Sequence, residues 1–360
     1  MSELEPHILV AILAAGLGVV FGIAMEWSRF CLLSGVREQV TTGTSAKLGM
    51  FAIAVAVALA GTQGLQLAGL VDLDQSIYRG DTLSLGGLVV GGLVFGLGAV
   101  LTRGCVSRLT VLSATGNLRA LVVLLVVGVS AYATLRGILY FPRDALQSAT
   151  NVTTPIATFD AAAAALGLGD TAARLVPVLL IGGAALAFAL RAVRRPGHWV
   201  AAAVVGLTVV GGWFATGYLG ADDFDPQPVE TLTFTGPVAE GVQYLMTFTG
   251  STISFGVALV AGALAGAFAS ALVGRRVALQ GFDEPRQLAR YIAGGVLMGF
   301  GGVAALGCTI GQGLSGVSTL SIASFIALAS IAAGMAFGVR VVDARGGTNE
   351  MAGEALPVSI

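Results

Sequence analysis

The chain has 360 residues, 56% of them apolar and 11% charged, with a formal net charge of −1 and a mean hydropathy of +0.88. Soluble globular domains carry about a quarter charged residues, so this composition excludes a soluble domain and describes an integral membrane protein. The near-neutral balance gives no footing for nucleic acid, and three cysteines without a Cys-x-x-Cys pair argue against a dithiol oxidoreductase and a thiolate metal cage.

The opening Met1–His7 lacks the basic region of a cleaved signal peptide, so the first apolar run is expected to stay as a span. Runs long enough to cross about 30 Å of hydrocarbon follow at 8–25, 48–70, 85–101, 118–140, 175–192, 199–219, 251–273, 290–306 and 321–342. Nine spans put the termini on opposite sides. Alternate connections then hold Arg29, Arg37, Lys47, Arg103, Arg108, Arg119, Arg191, Arg194, Arg195, Arg275, Arg276, Arg286 and Arg290, with Arg340 and Arg345 in the tail, 15 cations in all. The opposite connections hold 4: Arg79, Arg136, Arg143 and Arg174. Cytoplasmic loops collect Lys and Arg, so the N-terminus is expected in the periplasm and the C-terminus in the cytoplasm. The acidic 220–250 connection, with Asp222, Asp223, Asp225, Glu230 and Glu240, is expected to face outward.

Two stretches match at one offset. Gly91, Gly92, Gly96, Gly98, Gly104 and Cys105 recur 203 positions later as Gly294, Gly295, Gly299, Gly301, Gly307 and Cys308. A fainter echo pairs Gly16-Leu17, Val19-Val20 and Gly22 with Gly206-Leu207, Val209-Val210 and Gly212. With one span between two halves of four, the halves point in opposite directions, as in duplicated transporters. The predicted fold is therefore an all-α polytopic membrane protein in one integral domain (1–360). Repeat one covers about 8–140, a linking span 175–192 and repeat two about 199–342. Close helix packing by small-xxx-small glycines explains part of the match; six identities at one offset favour duplication.

After each Gly-Cys the chain changes character. Segments 105–117 and 308–320 are too short and too rich in Gly, Ser and Thr to span, and read as re-entrant elements, which are tolerated where they line a polar cavity; short surface loops are the alternative. Gly104 and Gly307, without a Cβ, would let the backbone turn or approach a ligand. A lone apolar-context Cys is usually a small core residue. Here, however, Cys105 and Cys308 hold equivalent positions, and aligning Cys31 on Cys105 also pairs Phe21, Gly22 and Arg29 with Phe95, Gly96 and Arg103. The three thiols read as one set.

Gly-Cys before a Ser/Gly-rich turn in two repeats, Phe-Cys-x-x-Ser-Gly-x-Arg-Glu at 30–38 and nine spans resemble the YeeE/YedE family of sulfur-compound transporters over about residues 16–340. The resemblance implies a bacterial inner-membrane permease importing thiosulfate or a related sulfur or selenium species. It further implies that Cys31, Cys105 and Cys308 pass the ion along by transient S–H···S hydrogen bonds, in an hourglass pinched at mid-membrane by re-entrant elements.

The chemistry fits that role. Thiosulfate is a dianion with a soft terminal sulfur, costly to desolvate, and neutral thiols are weak donors that let an ion leave as well as enter. Backbone N–H groups at 307–309 and the hydroxyls of Ser107, Thr309 and Ser315 are candidates for its oxygens, each able instead to satisfy a helix carbonyl. Arg29, Arg103 and Arg108 could neutralise the arriving anion or meet lipid headgroups. Spans two to nine contain no Asp or Glu, which weighs against a carboxylate coupling site, and no metal or cofactor is expected. The 141–174 connection reads as carrying a short interfacial helix, and the 346–360 tail as disordered without a sulfur-carrier Cys. A soluble cytoplasmic sulfur-accepting protein remains a candidate partner. The rival class is a membrane thiol enzyme transferring sulfur covalently through Cys105 or Cys308, against which the absence of a nearby general base in the motifs speaks.

Overall fold

The computed structural model describes residues 6–154, 156–221, 227–281 and 285–345. The Asp222–Asp225 stretch and the 346–360 tail lie outside them. In chain order the helices are α1 (Pro6–Ser28), α2 (Leu32–Thr42), α3 (Ala46–Leu67), α4 (Leu85–Leu101), α5 (Val106–Ala114), α6 (Leu118–Arg136), α7 (Tyr140–Ser148), α8 (Phe159–Ala165), α9 (Asp170–Ala192) and α10 (Pro196–Phe214). Then follow α11 (Thr235–Thr247), α12 (Phe255–Val273), α13 (Pro285–Ala304) and α14 (Ile322–Arg345). Two π-helical turns, Ala215–Leu219 and Gly311–Gly316, extend α10 and precede α14. Strands β1 (Thr82–Ser84) and β2 (Asn151–Thr153) pair antiparallel with Leu83 opposite Val152.

Among the described residues, eight helical segments are long and apolar enough to cross a membrane: His7–Thr42, Ala46–Leu67, Leu85–Ala114, Leu118–Arg136, Asp170–Ala192, Pro196–Leu219, Phe255–Val273 and Ile322–Val342. The ninth expected span, 290–306, is α13. Its 20 residues suffice in length, about 30 Å at 1.5 Å per residue, but Gln287 and Arg290 in its first turns keep it less apolar than the rest. The 141–174 connection carries two short helices, α7 and α8, rather than one. The 220–250 connection contains α11, a 13-residue helix that its mixed composition conceals.

Backbone-close glycines set how the long helices cross. A Cβ on Gly18 would meet Leu259 O and one on Gly22 would meet Ala263 O, so α1 and α12 run parallel in close contact. By the same reading α3 runs parallel to α10, α4 to α14 and α6 to α13, whereas α4 and α13 cross antiparallel through Gly91, Gly98, Gly294 and Gly301. The first π turn widens the end of α10 where it packs on α1. α9 lies outside this arrangement against α3.

The two short Cys-led elements occupy related niches. α5 packs among α1, α6 and α12, and the Gly311–Gly316 turn among α3, α10 and α14. Residues 307–321 are buried without interruption, which a surface loop is not.

Candidate functional site

The three cysteines share one local geometry. In each case a long helix ends, the residue two before the cysteine has a left-handed backbone (Arg29 φ 52°, Arg103 φ 59°, Leu306 φ 57°), and the cysteine begins a short helical element. The cysteine carbonyl accepts the first helical bond each time: Gly35 N–H to Cys31 at 3.2 Å, Leu109 N–H to Cys105 at 2.9 Å and Gln312 N–H to Cys308 at 2.8 Å. α4 and α13 stop in the same way. Arg103 and Leu306 donate three residues back to Val100 and Val303, and Gly104 and Gly307 donate five back to Ala99 and Gly302. This is a Schellman motif, in which glycine usually takes the left-handed position. Here that position is held by Arg103 and Leu306, and the glycine comes one later. Gly104 itself does not take the left-handed conformation: its φ is not positive, and an added Cβ would find ordinary contact with Leu109. At Gly307, φ is 158° and a Cβ would stand 3.2 Å from Gln312 Cγ, so glycine is required there. Left-handed non-glycine residues cost about 1–3 kcal/mol each and persist where packing over-determines them.

All three thiols are free and buried, with Cys31 5%, Cys105 1% and Cys308 0% exposed. The Cys31 and Cys105 thiols lie side by side, although they are 74 residues apart in the chain. Cys105 Sγ is 3.3 Å from Ser107 Oγ, and the Thr309 hydroxyl stands beside the same thiol. Thr309, 1% exposed, has no hydrogen-bond partner of ordinary geometry, so its contact with Cys105 is proximity rather than a formed bond. Gly311 N–H points at Cys308 Sγ, 3.4 Å away. The sequence-predicted hydroxyls thus divide. Ser315 donates to Leu232 O at 2.6 Å and is spent on the backbone; Ser107 faces a thiol; Thr309 is left free beside one.

An unpartnered buried hydroxyl costs about 1–3 kcal/mol, and the N-termini of α2 and α5 bring partial positive charge to Cys31 and Cys105. Together these favour an anion with hydrogen-bonding oxygens and a soft end. The Arg108 guanidinium, half-buried one turn into α5, acts on Cys31, Cys105, Glu26 and Arg29. Glu26 is held by Arg276 at 2.7 Å and by the Ser270 hydroxyl at 2.7 Å.

Two residues that sequence reading did not single out as site residues lie on this side of the site, Tyr78 beside Cys308 and Glu230 beside Tyr78. Tyr78 is buried, stacks edge-on against Trp213 with centroids 6.2 Å apart, and acts electrostatically on Cys308 and Glu230. Burial holds its phenol well above the usual range. Its neighbour Arg79 anchors the connection through Asp160, Asp74 and Gln66. Glu230 lies on an extended segment pinned by Thr216, whose hydroxyl donates to Glu230 O at 2.7 Å and accepts from Glu230 N–H at 3.2 Å. Desolvation, and then the charge of Glu240, push the Glu230 carboxyl up to about 8. Both residues sit in connections without periodicity, so only their placement identifies them.

The sign of the Glu230 shift gives a test. A free glutamate titrates near about 4.3, so the folded protein loses stability as pH rises from there through about 8. Glu230→Gln is expected to match the parent melting temperature at pH 4, gain on it between those values and hold the gain above pH 8. Thermal unfolding in detergent across pH measures this; a pH-independent difference would count against a shifted carboxyl.

A profile of the family described as Sulphur transport matches residues 27–337. Over 322 residues the chain is 29% identical to a protein named thiosulfate transporter TsuA from Spirochaeta thermophila, covering 86% of this chain and 92% of that one. It is 28% identical over 321 residues to thiosulfate transporter TsuA of Escherichia coli, covering 82% and 84%. The chain belongs to the Sulphur transport family, as the cysteine motifs indicate.

Proposed function

We propose that this family member imports thiosulfate across a bacterial inner membrane, handing it between Cys308, Cys105 and Cys31 by transient S–H···S hydrogen bonds. The observation that carries the reading is a buried centre in which Cys31 lies beside Cys105, with the free hydroxyl of Thr309, the residue after Cys308, beside the Cys105 thiol. Tyr78 and Glu230 form the approach to Cys308, and Arg108 the exit past Cys31. Neutral thiols donate weakly, so each station can release what it receives. The relatives' names support thiosulfate as the cargo.

The two halves act as inverted repeats. Under the 203-residue offset, the contact of Gly91 with Gly301 becomes that of Gly294 with Gly98, and both are made. Likewise Gly92 on α4 meets Ser330 of α14, and Gly295 on α13 meets Val126 of α6. A channel built this way offers α5 and the Gly311–Gly316 turn as two half-gates entered from opposite faces, as in transporters with discontinuous helices.

Uptake of labelled thiosulfate, sulfate and selenium analogues into reconstituted vesicles tests the cargo; sulfate uptake equal to thiosulfate uptake would reject a thiol relay. Orientation has its own test. A reporter fused after residue 345 is expected in the cytoplasm and a tag within 222–230 in the periplasm, and the reverse labelling at either place would overturn the assignment.

A further inference from the structure

Away from the thiols, α1, α6, α11 and α12 enclose a cleft of about 780 Å³ that is almost wholly apolar. It continues into a second bay of about 630 Å³ through the shared residues Tyr244, Thr252 and Val257. The lining along α6 runs from Leu121 to Arg136, about 22 Å of helix at 1.5 Å per residue. That is comparable with one membrane leaflet and its interface. Ile12, Leu121, Leu125 and Leu245 stand exposed along the apolar part, and a Cβ on Gly241 would meet nothing within 4 Å. The cleft is open where α11 could have filled it.

The second bay is different in kind. Arg136 and Glu240 both line it, yet they form no salt bridge with each other, and among the described residues nothing pairs with the Arg136 guanidinium. Among the described residues, Glu240 accepts only the Ser254 hydroxyl, at 2.9 Å. One cation and one anion therefore face a shared space without closing it, directly above an apolar slot of acyl-chain length.

We propose that this groove is a specific site for one phospholipid with a primary-ammonium headgroup: acyl chain between α1, α11 and α12, phosphate on Arg136 and ammonium on Glu240. Guanidinium–phosphate and ammonium–carboxylate bonds are charge-assisted and directional. A quaternary choline cannot donate to Glu240, and a glycerol headgroup brings no cation to it. The bound lipid would brace α11, and through it the Glu230 segment beside Tyr78, against α6 and α12.

The test uses full-length protein in mild detergent, with bound lipid counted by native mass spectrometry and by add-back of phosphatidylethanolamine, phosphatidylcholine or phosphatidylglycerol. The parent is expected to retain about one phosphatidylethanolamine per chain and to prefer it over the other two by about tenfold, the worth of one charge-assisted bond. Arg136→Gln should weaken all three lipids, and Glu240→Gln should abolish the preference while sparing phosphatidylglycerol. Gly241→Leu, which has room for its side chain, should expel the lipid with the protein still folded and monodisperse. Retention unchanged by Gly241→Leu, or a headgroup preference unchanged by Glu240→Gln, would overturn the proposal. Equal, weak binding of every lipid by the parent would show an ordinary annular surface and do the same.

Discussion

Cys308→Ala and Cys105→Ala are each expected to cut thiosulfate uptake by tenfold or more while leaving the amount of protein in the membrane unchanged. Both thiols are fully buried, and an ion brought between them has exchanged its hydration for whatever donors the protein supplies. Leaving a buried acceptor unmatched costs about 1–3 kcal/mol, and each 1.4 kcal/mol is a factor of ten. The folding cost is smaller, because the short helices are capped by the cysteine backbone, which alanine retains: the bonds from Leu109 N–H and Gln312 N–H go to carbonyls. Cys→Ser should impair transport too, since a hydroxyl binds oxygen-like acceptors better than soft sulfur and is itself drawn to nearby carbonyls, as Ser315 is to Leu232. Mass spectrometry of protein stopped during uptake should find unmodified thiols. A persulfide or S-sulfonate at Cys105 or Cys308 that forms and decays at the transport rate would favour covalent sulfur transfer. Full uptake by a variant lacking all three cysteines would reject both mechanisms.

Uninterrupted apolar runs made the long helices legible. The predicted 48–70, 85–101 and 251–273 spans fall within three residues of α3, α4 and α12 at their starts and ends, except for the later start of α12 at Phe255. Composition also marked where the chain leaves that pattern, at Arg29–Cys31, Arg103–Cys105 and Leu306–Cys308. It misled on which residue turns. Glycine is the obvious candidate for a left-handed backbone, yet packing places Arg103 and Leu306 there. Short amphipathic helices such as α2 and α11 were missed because neither length nor apolarity separates them from connections. Tyr78 and Glu230 were invisible as site residues for a related reason: segments distant in sequence bring them together, and nothing in the local composition of 70–84 or 227–234 announces it.

The match at the 203-residue offset is written largely in glycines, and the packing of such glycines yields the largest expected loss of folded protein. A Cβ on Gly96 would sit 2.3 Å from Ile331 O and 2.7 Å from Met335 N; one on Gly266 would sit 2.1 Å from Val19 O. These neighbours are backbone, which cannot rotate aside, so the helices themselves must part. Overpacking a core usually costs about 1–3 kcal/mol, and parting α4 from α14 or α1 from α12 also undoes contacts along the whole seam. Gly96→Val and Gly266→Val are therefore expected to abolish monodisperse protein on fluorescence-detected size exclusion. Gly16→Ala, where a Cβ meets nothing within 4 Å, should match the parent. The counterpart of Gly96 under the 203-residue offset, Gly299, faces Ser130 Cβ at 2.7 Å and Ala131 N at 2.8 Å, so Gly299→Val should fail in the same way, whereas the seams would be unrelated if it were tolerated. Glycines keep these helices close enough for Cys105 and Thr309 to lie side by side. A variant that folds with its seam opened would separate them, and its uptake would fall even with every thiol in place.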